Sequence, residues 1–563
     1  MSDLLFHNGT ILTMDAAHPP ATALAIHDGR VLAVGGDDLL ALHGDAAEVV
    51  DLAGRTLCPG YIDAHHHITL AAWYARGVDL GGCRSVEEAA QRIADHAASE
   101  SDDGWLSAYN YTPRHFARGG LLTRGDLDRA AGDRPVIAMH FSFHEATLST
   151  AGLRAAAIDR DTPDPFGGRI VRDRHGEPTG EVLETAVSRV EALARLSAAN
   201  TGYDAWADAL ERYCAGLFAA GITYLCDPGI DAMLEDYLRR AMREGRLPLP
   251  VAMLFVSKEG LFTPPTDRLD GPVTGDVLDG LPVGALKLFA DGGSRCAVCV
   301  GLAESLAGVA ALVGRAARSR RPGLLREASA PERPRWGADH RLHVGYLHHP
   351  PGVLADLCAA AHVRGFQLAT HAACNAGIEA TIRAYEALPP GPHRHRIEHL
   401  VSLDHDQMAR LAALDVIGVV QPMYIAQMGG EWEAMPAAPR LRSVPLRDLL
   451  DAGVALAGSS DAPIAPYSPL AGMRAAITRR TAGGLTHQRE QAITPLEALH
   501  LWTTGGALAA NLPGEIGVLR AGARADCVVL SANPLETPPD QFDTIRVERT
   551  VLGGRTVYVT GGN

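Results

Sequence analysis

Between residues 57 and 461 the chain alternates short apolar runs, each about one strand long, with stretches of helical periodicity, and this alternation constrains its fold more than any other feature. A strand that returns parallel to its predecessor needs a helical crossing, and strands covered on both faces read as continuous apolar runs. The runs fall at 57–63, 223–227, 249–255, 284–290, 366–371, 394–400, 416–422 and 454–461, with helical stretches such as 205–220, 351–364 and 404–414 between them. Eight such units are what a closed (β/α)8 barrel of the TIM type requires, so the expected class is α/β with that barrel at its centre.

The two ends of the chain carry a different pattern. Leu4-Leu5-Phe6, Asn8-Gly9 and 10–14 read as a hairpin, as do 22–26, Asp28-Gly29 and 30–34. At the other end 525–530 reads as a strand, and 546–552, Gly553-Gly554 and 555–559 as a hairpin. The expectation is one composite β-sandwich built from 1–57 and 516–563, with the barrel at 58–515; two unrelated small domains are the alternative. Roughly 160 residues separate the first two barrel strands, too many for a structureless loop. A helix at 85–99, strands near 136–141 and 169–172 and a helix near 182–196 make 72–200 an inserted α+β subdomain over the barrel mouth. The Arg- and Pro-rich segment 315–341 reads as an irregular lid or a disordered insertion.

Composition excludes several classes of partner. The net charge of −15 and the absence of a basic stripe argue against nucleic acid and anionic membrane. No apolar run approaches the roughly 18–20 residues that span a bilayer, and the first residues lack a secretory pattern. Nine cysteines scattered over 563 residues make no disulfide framework, so a cytoplasmic location is the default. The sequence admits a homodimer and points to a small-molecule substrate.

Polar residues capable of chemistry stand at the carboxyl ends of the apolar runs, where active sites of this architecture gather. Asp63-Ala64-His65-His66-His67 ends the first run; in a strand His65 and His67 share a face and His66 points away. Two neutral imidazoles so placed suit zinc. His371 closes the fifth run, His399 the sixth and Asp461 the eighth. Each alone could be a hydrogen-bonded rim residue; together they form a metal set in which Asp461 can also accept a proton from water. Lys287 lies within 284–290, where a bare ammonium is costly to bury. Carbamylation would make it a carboxylate able to bridge two metals; a salt bridge to Asp291 or another acid is the alternative.

These motifs resemble the amidohydrolase superfamily in its amidohydrolase-3 branch, that of the N-substituted formamide deformylases. The resemblance spans nearly the whole chain through Pro59-Gly60-Tyr61-Ile62-Asp63-Ala64-His65-His66-His67, Lys287-Leu288-Phe289-Ala290-Asp291-Gly292, Arg396-Ile397-Glu398-His399, Gly458-Ser459-Ser460-Asp461-Ala462-Pro463 and the terminal Ala525-Asp526 and Thr550-Val551-Leu552-Gly553-Gly554. It implies one or two divalent ions, zinc first, held by His65, His67, Lys287, His371, His399 and Asp461. It adds Glu184, within 180–184, as a further ligand, against the reading of a helix-surface acid. It also adds His144 as a residue facing the substrate, against a structural hydrogen bond. His66 and His348 read as packing or surface residues.

The implied reaction is metal-assisted hydrolysis of an amide or formamide C–N bond, with Asp461 moving the proton and His399 or His144 polarising the carbonyl. Cyclic amidohydrolase or deaminase chemistry at the same site is the alternative, and a non-catalytic binding protein the third reading. Two departures from the branch stand out. Asn375 replaces the acid usually found after the fifth-strand histidine, and Cys296 and Cys299 form a CxxC read as two ordinary thiols rather than a metal or redox pair.

Overall fold

The apolar run at 57–63 is divided at Gly60 between two different sheets. Thr56–Pro59 lies parallel to Thr10–Ile11 and antiparallel to Cys527–Leu530. Tyr61–Asp63 turns away to lie parallel to Ile222–Ile230. The corner needs glycine, because a Cβ on residue 60 would meet Thr223 Oγ1 at 2.3 Å. The structure is a computed structural model and describes every residue except 1, 18–19, 100–103, 113–115, 117–119, 200–201, 258–266, 319–333, 433–437 and 562–563.

Eight parallel strands follow in chain order. After Tyr61–Asp63 come Ile222–Ile230 and Val251–Phe255, joined as a ladder. Leu286–Phe289 meets the third strand through single parallel bridges, Met253 to Val283 and Val256 to Lys287. Leu368–Cys374, Arg396–Leu403, Ile417–Val420 and Ala455–Gly458 then pair successively in parallel. The eighth returns to the first: Ala64 donates to the Gly458 carbonyl at 3.2 Å and Asp461 N–H to the His65 carbonyl at 2.8 Å. Most of their side chains are buried on both faces, which is why the sequence shows runs rather than alternation. Helices Tyr203–Ala219, Val353–His362 and His405–Ala413 occupy the expected gaps. The last is started by a reciprocal cap between Asp404 and Gln407.

The chain ends combine as sheets. Thr10–Ile11, Thr56–Pro59, Cys527–Leu530, Val547–Leu552 and Arg555–Val559 form one sheet of five. Arg30–Gly35, Ala23–His27, Ser2–His7 and His43–Asp51 form another of four. Leu4, Phe6, Leu24, Ile26, Leu57, Val529 and Val551 pack in one cluster, so residues from both ends share a core. The hairpin at Asp28-Gly29 is present. Asn8-Gly9 is instead a corner: the strands on its two sides belong to different sheets, and Asn8 takes φ 58° there.

Within 72–200 a six-stranded sheet runs in the order Gly168–Arg172, Pro178–Glu184, Glu145–Leu148, Val136–His140, Leu106–Tyr111, Val78–Asp79. The helix expected near 182–196 begins later, at Thr185, because Val182, Leu183 and Glu184 complete a strand. Of the segment 315–341, residues up to Arg318 continue the helix Leu302–Arg318, and Arg335–Trp336 joins a three-stranded sheet with Leu342–Val344 and Val298–Val300. Residues 319–333 lie outside the described ones. Among the described residues, no helix is long and apolar enough to cross a membrane.

Asp63 fastens the first strand to the eighth. Its Oδ1 accepts from Ser460 N–H at 2.9 Å, and its Oδ2 from the Ser460 hydroxyl at 2.5 Å and the His66 ring at 2.9 Å. Because all these donors are buried, Asp63→Ala strands them at about 1–3 kcal/mol each for those that find no new partner. We expect Asp63→Ala to lower the thermal unfolding midpoint by several degrees, measured by calorimetry against the wild type.

Candidate metal centre

His65 and His67 follow the first strand rather than continuing it, and His67 is the residue from which helix Ile68–Tyr74 starts. Strand alternation therefore does not align them; the helix entry does. Their ring centroids lie 5.2 Å apart, and His65 Nε2 and His67 Nε2 stand 3.3 and 3.2 Å from Asp461 Oδ1. Asp461 adopts φ 58° just past the eighth strand, and His399 adopts φ 80° within the sixth. The His399 ring reaches within 5.0 Å of His65 and 4.3 Å of His371. His371 lies within its strand, which runs on to Cys374, and does not close it.

The other edge of each imidazole is occupied. His65 Nδ1 meets Glu398 Oε2 at 2.5 Å, His67 Nδ1 the Pro228 carbonyl at 2.9 Å and His399 Nδ1 Gln421 Oε1 at 2.9 Å. All three partners are acceptors; Gln421 is oriented by giving its amide hydrogen to Ser459 Oγ. Burial pushes His399 down to about 4 and His65 well below its usual range, so each of these two rings is neutral and has one proton to give. With that proton on Nδ1, Nε2 is bare. Among the described residues, His399 Nε2 and Asp461 Oδ1 have no hydrogen-bond partner although both are buried. Bare nitrogens facing a bare carboxylate oxygen repel one another unless a cation sits between them, so this donor set fits a divalent metal.

Supporting contacts hold the set in place. Arg396 pairs with both Glu398 oxygens, at 2.7 and 2.9 Å, and with the carbonyls of Ala64 and Ala509. Against the cost of burial, Arg396 and His65 keep the Glu398 carboxyl well below the usual range. Tyr424 donates to Asp461 Oδ2, and burial pushes its hydroxyl well above normal, so it stays a donor. Lys287 is 1% exposed, with Nζ 4.9 Å from the Phe289 ring centroid, and its charge acts on His65, His371 and His399.

Glu184 and His144 stand in a neighbouring group. Glu184 is fully buried at the end of its strand, not on a helix surface. Its Oε2 meets His144 Nδ1 at 2.7 Å and His348 Nε2 at 3.4 Å; its Oε1 accepts from Arg295 N–H at 2.7 Å and the Ser294 hydroxyl at 3.2 Å. Burial raises the Glu184 carboxyl, but His144 and His348 overcome this and hold it well below its usual range. The His144 ring lies 5.5 Å from that of His371, which connects this group to the first. His348 is therefore no surface residue, whereas His66 is packed, bound to Asp63 and, at 3.1 Å, to Tyr213. Sequence reasoning missed Gln421, Tyr424 and His348; for the first two the signal was their position at the end of the seventh run.

The cysteine reading needs correction. Cys296 forms a disulfide with Cys374, and Cys299 remains a thiol. The pairing follows from the fold, which sets the loop after the fourth strand against the end of the fifth. Asp291 clamps the same two segments, accepting from Ala297, Ala373 and Cys374 N–H at 3.1, 2.9 and 3.0 Å. Asn375 gives its amide hydrogen to the Cys299 carbonyl at 2.7 Å and accepts from Cys299 N–H at 3.0 Å. An aspartate could make only the second bond, which explains the amide at this position.

Imidazoles and a carboxylate at the ends of parallel strands define a class, and the chain belongs to it. Residues 48–558 match the Amidohydrolase family, so this is a hydrolytic enzyme acting on carbon–nitrogen bonds other than peptide bonds. It is 28% identical to the N-substituted formamide deformylase of Arthrobacter pascens, over 100% of this chain and 99% of that protein. Two solved structures of uncharacterized metal-dependent hydrolases share the fold. That from Pyrococcus horikoshii has 22% identity and a TM-score of 0.69, covering 95% of this chain and 99% of its own. That from Pyrococcus furiosus has 22% identity and a TM-score of 0.66, covering 95% and 100%.

Gln421→Leu removes the acceptor for His399 Nδ1 without changing charge. Loss of such an orienting partner costs about 10–100-fold in metal affinity. We expect a drop of that size for zinc, measured by competition with a chromophoric chelator.

Proposed function

We propose that the eight parallel strands and their helices close into a (β/α)8 barrel over 58–515. The sheets from 1–57 and 516–563 face each other as one sandwich, and 72–200 stands over the mouth. The site at the mouth hydrolyses the C–N bond of a small amide. Full-length similarity to a formamide deformylase makes N-substituted formamides the first substrate class.

The observation that carries this reading is the convergence of His65 and His67 on Asp461 Oδ1, with the His399 ring 5.0 Å from that of His65. Neutral imidazole and carboxylate suit zinc, and His371 and Lys287 extend the set to one or two ions. An ion held there supplies Lewis acidity and a water acidified toward neutrality. Asp461 accepts the proton of the attacking water at Oδ1 and returns it to the departing nitrogen, while Tyr424 fixes the carboxylate through Oδ2. His144, oriented by Glu184, faces the substrate carbonyl, while His399 helps to hold the ion. In this reading Glu184 orients a catalytic group instead of binding the ion, since both its oxygens are already taken by donors.

Lys287 is carbamylated in the working enzyme. A buried ammonium beside three imidazoles opposes a metal, whereas Nζ that has lost two protons and added carbon dioxide would present a carboxylate to it.

The test is a panel of N-substituted formamides, N-acyl amines, cyclic amides and amidines with the zinc-loaded enzyme. Release of formate and amine is expected; ammonia release would instead make the enzyme a deaminase. Asp461→Asn is expected to lower kcat by about 10²–10⁴ in a folded protein; an unchanged kcat removes Asp461 from the proton path. Lys287→Ala is expected to lose a metal equivalent and regain it with added short carboxylic acids. Full metal content in that variant, read by mass spectrometry, would end the carbamate assignment.

A further inference from the structure

Away from the centre just described, the three-stranded sheet formed by Arg335–Trp336, Leu342–Val344 and Val298–Val300 gathers a different set of donors. Cys299 and His343 stand directly opposite in its antiparallel register, so their side chains leave the same face. Asp339, in the turn before Leu342–Val344, reaches the same point. His343 Nε2 lies 3.0 Å from each Asp339 oxygen; Cys299 Sγ lies 3.8 Å from His343 Nε2 and 3.9 Å from Asp339 Oδ2. A zinc ion bound at its usual distances to sulfur, nitrogen and oxygen sets tetrahedral ligand separations of roughly 3.3–3.6 Å. The three atoms are thus within a few tenths of an ångström of an ideal half-shell.

Three further features favour a ligand at this point. Gly337 keeps the space open: a Cβ there would come 2.3 Å from Asp339 Oδ1 and 2.6 Å from His343 Nε2. The nearby arginines do not cancel the donors, because Arg341 and Arg440 both pair with Glu304. The Cys299 backbone, moreover, is held by the paired hydrogen bonds of Asn375, at the start of the helix that follows His371.

We propose that Cys299, Asp339 and His343 form a separate site for a divalent metal of borderline softness, zinc in chemical class, with water as the fourth ligand. Binding releases the thiol proton to solvent, and the thiolate and carboxylate together neutralise the ion. The ion would fasten the turn at Asp339 to the strand that packs on Asn375, so it acts as a staple behind the catalytic strand ends.

Cobalt(II) distinguishes this site from the first. The residues assigned to the catalytic centre offer only nitrogen and oxygen, so a sulfur-to-cobalt charge-transfer band in the ultraviolet reports Cys299 ligation alone. Chelator-treated full-length protein, titrated with cobalt(II) under argon, should develop this band with one equivalent beyond those taken by the catalytic centre. The band should vanish in Cys299→Ser, weaken at least tenfold in apparent affinity in His343→Ala, and persist in the Cys296→Ser/Cys374→Ser double variant. Cobalt uptake by wild-type protein without the band would overturn the proposal, independently of how any variant folds. Survival of the band in Cys299→Ser would do the same.

Discussion

A shortage of protons organises the centre of this molecule. Around His65 and His67 both ring edges face acceptors, and His399 faces one at Nδ1, yet each ring, when neutral, has only one hydrogen to give. Glu398, the Pro228 carbonyl and Gln421 take those hydrogens on the Nδ1 side, which leaves the Nε2 lone pairs of His65 and His67 aimed at one carboxylate oxygen. Three strands supply these outer acceptors, and their register is what makes the inner arrangement rigid. Arg396 extends the same logic inward: by pairing with Glu398 it permits a full negative charge to be buried behind His65.

The electrostatics of the two histidine groups differ in a way that divides their labour. Around Asp461 the acceptors outnumber the hydrogens, and the deficit calls for a cation. Around Glu184 the balance is reversed, with His144, His348, Ser294 and two backbone N–H groups all directed at one carboxylate. The Glu184 carboxylate, surrounded by donors in this way, is held in place. The loop after the fourth strand serves both, since Asp291 and the Cys296–Cys374 bond tie it to the fifth strand while Gly293 and Arg295 reach across to Glu184.

Much of this was legible in the residues. The parallel strands announced themselves because burial on both faces leaves no polar interruptions, and a histidine or aspartate at the end of such a run is conspicuous. Where the reading failed, the cause was long-range or geometric. The run at 57–63 gave no hint that it serves two sheets, because both halves are equally apolar. Nothing local distinguishes a Cys296–Cys374 pair from a Cys296–Cys299 pair when the partner lies 78 residues away. Gln421 and Tyr424 act only through neighbours brought by other strands, and His348 looked ordinary until the inserted sheet placed Glu184 against it. Arg396 and Glu398, two residues apart in one strand, could have been read as a same-face pair, since that is the one spacing alternation makes explicit.

The corner at Gly60 also sets the order in which a ribosome can finish this protein. Thr56–Pro59 has one neighbour close by in the chain, Thr10–Ile11, and another, Cys527–Leu530, that is made only after every parallel strand. For most of translation one margin of that early strand has no partner, while the parallel strands that continue from it have already met theirs. The nascent chain therefore carries an open sheet edge until Cys527–Leu530 arrives to cover it.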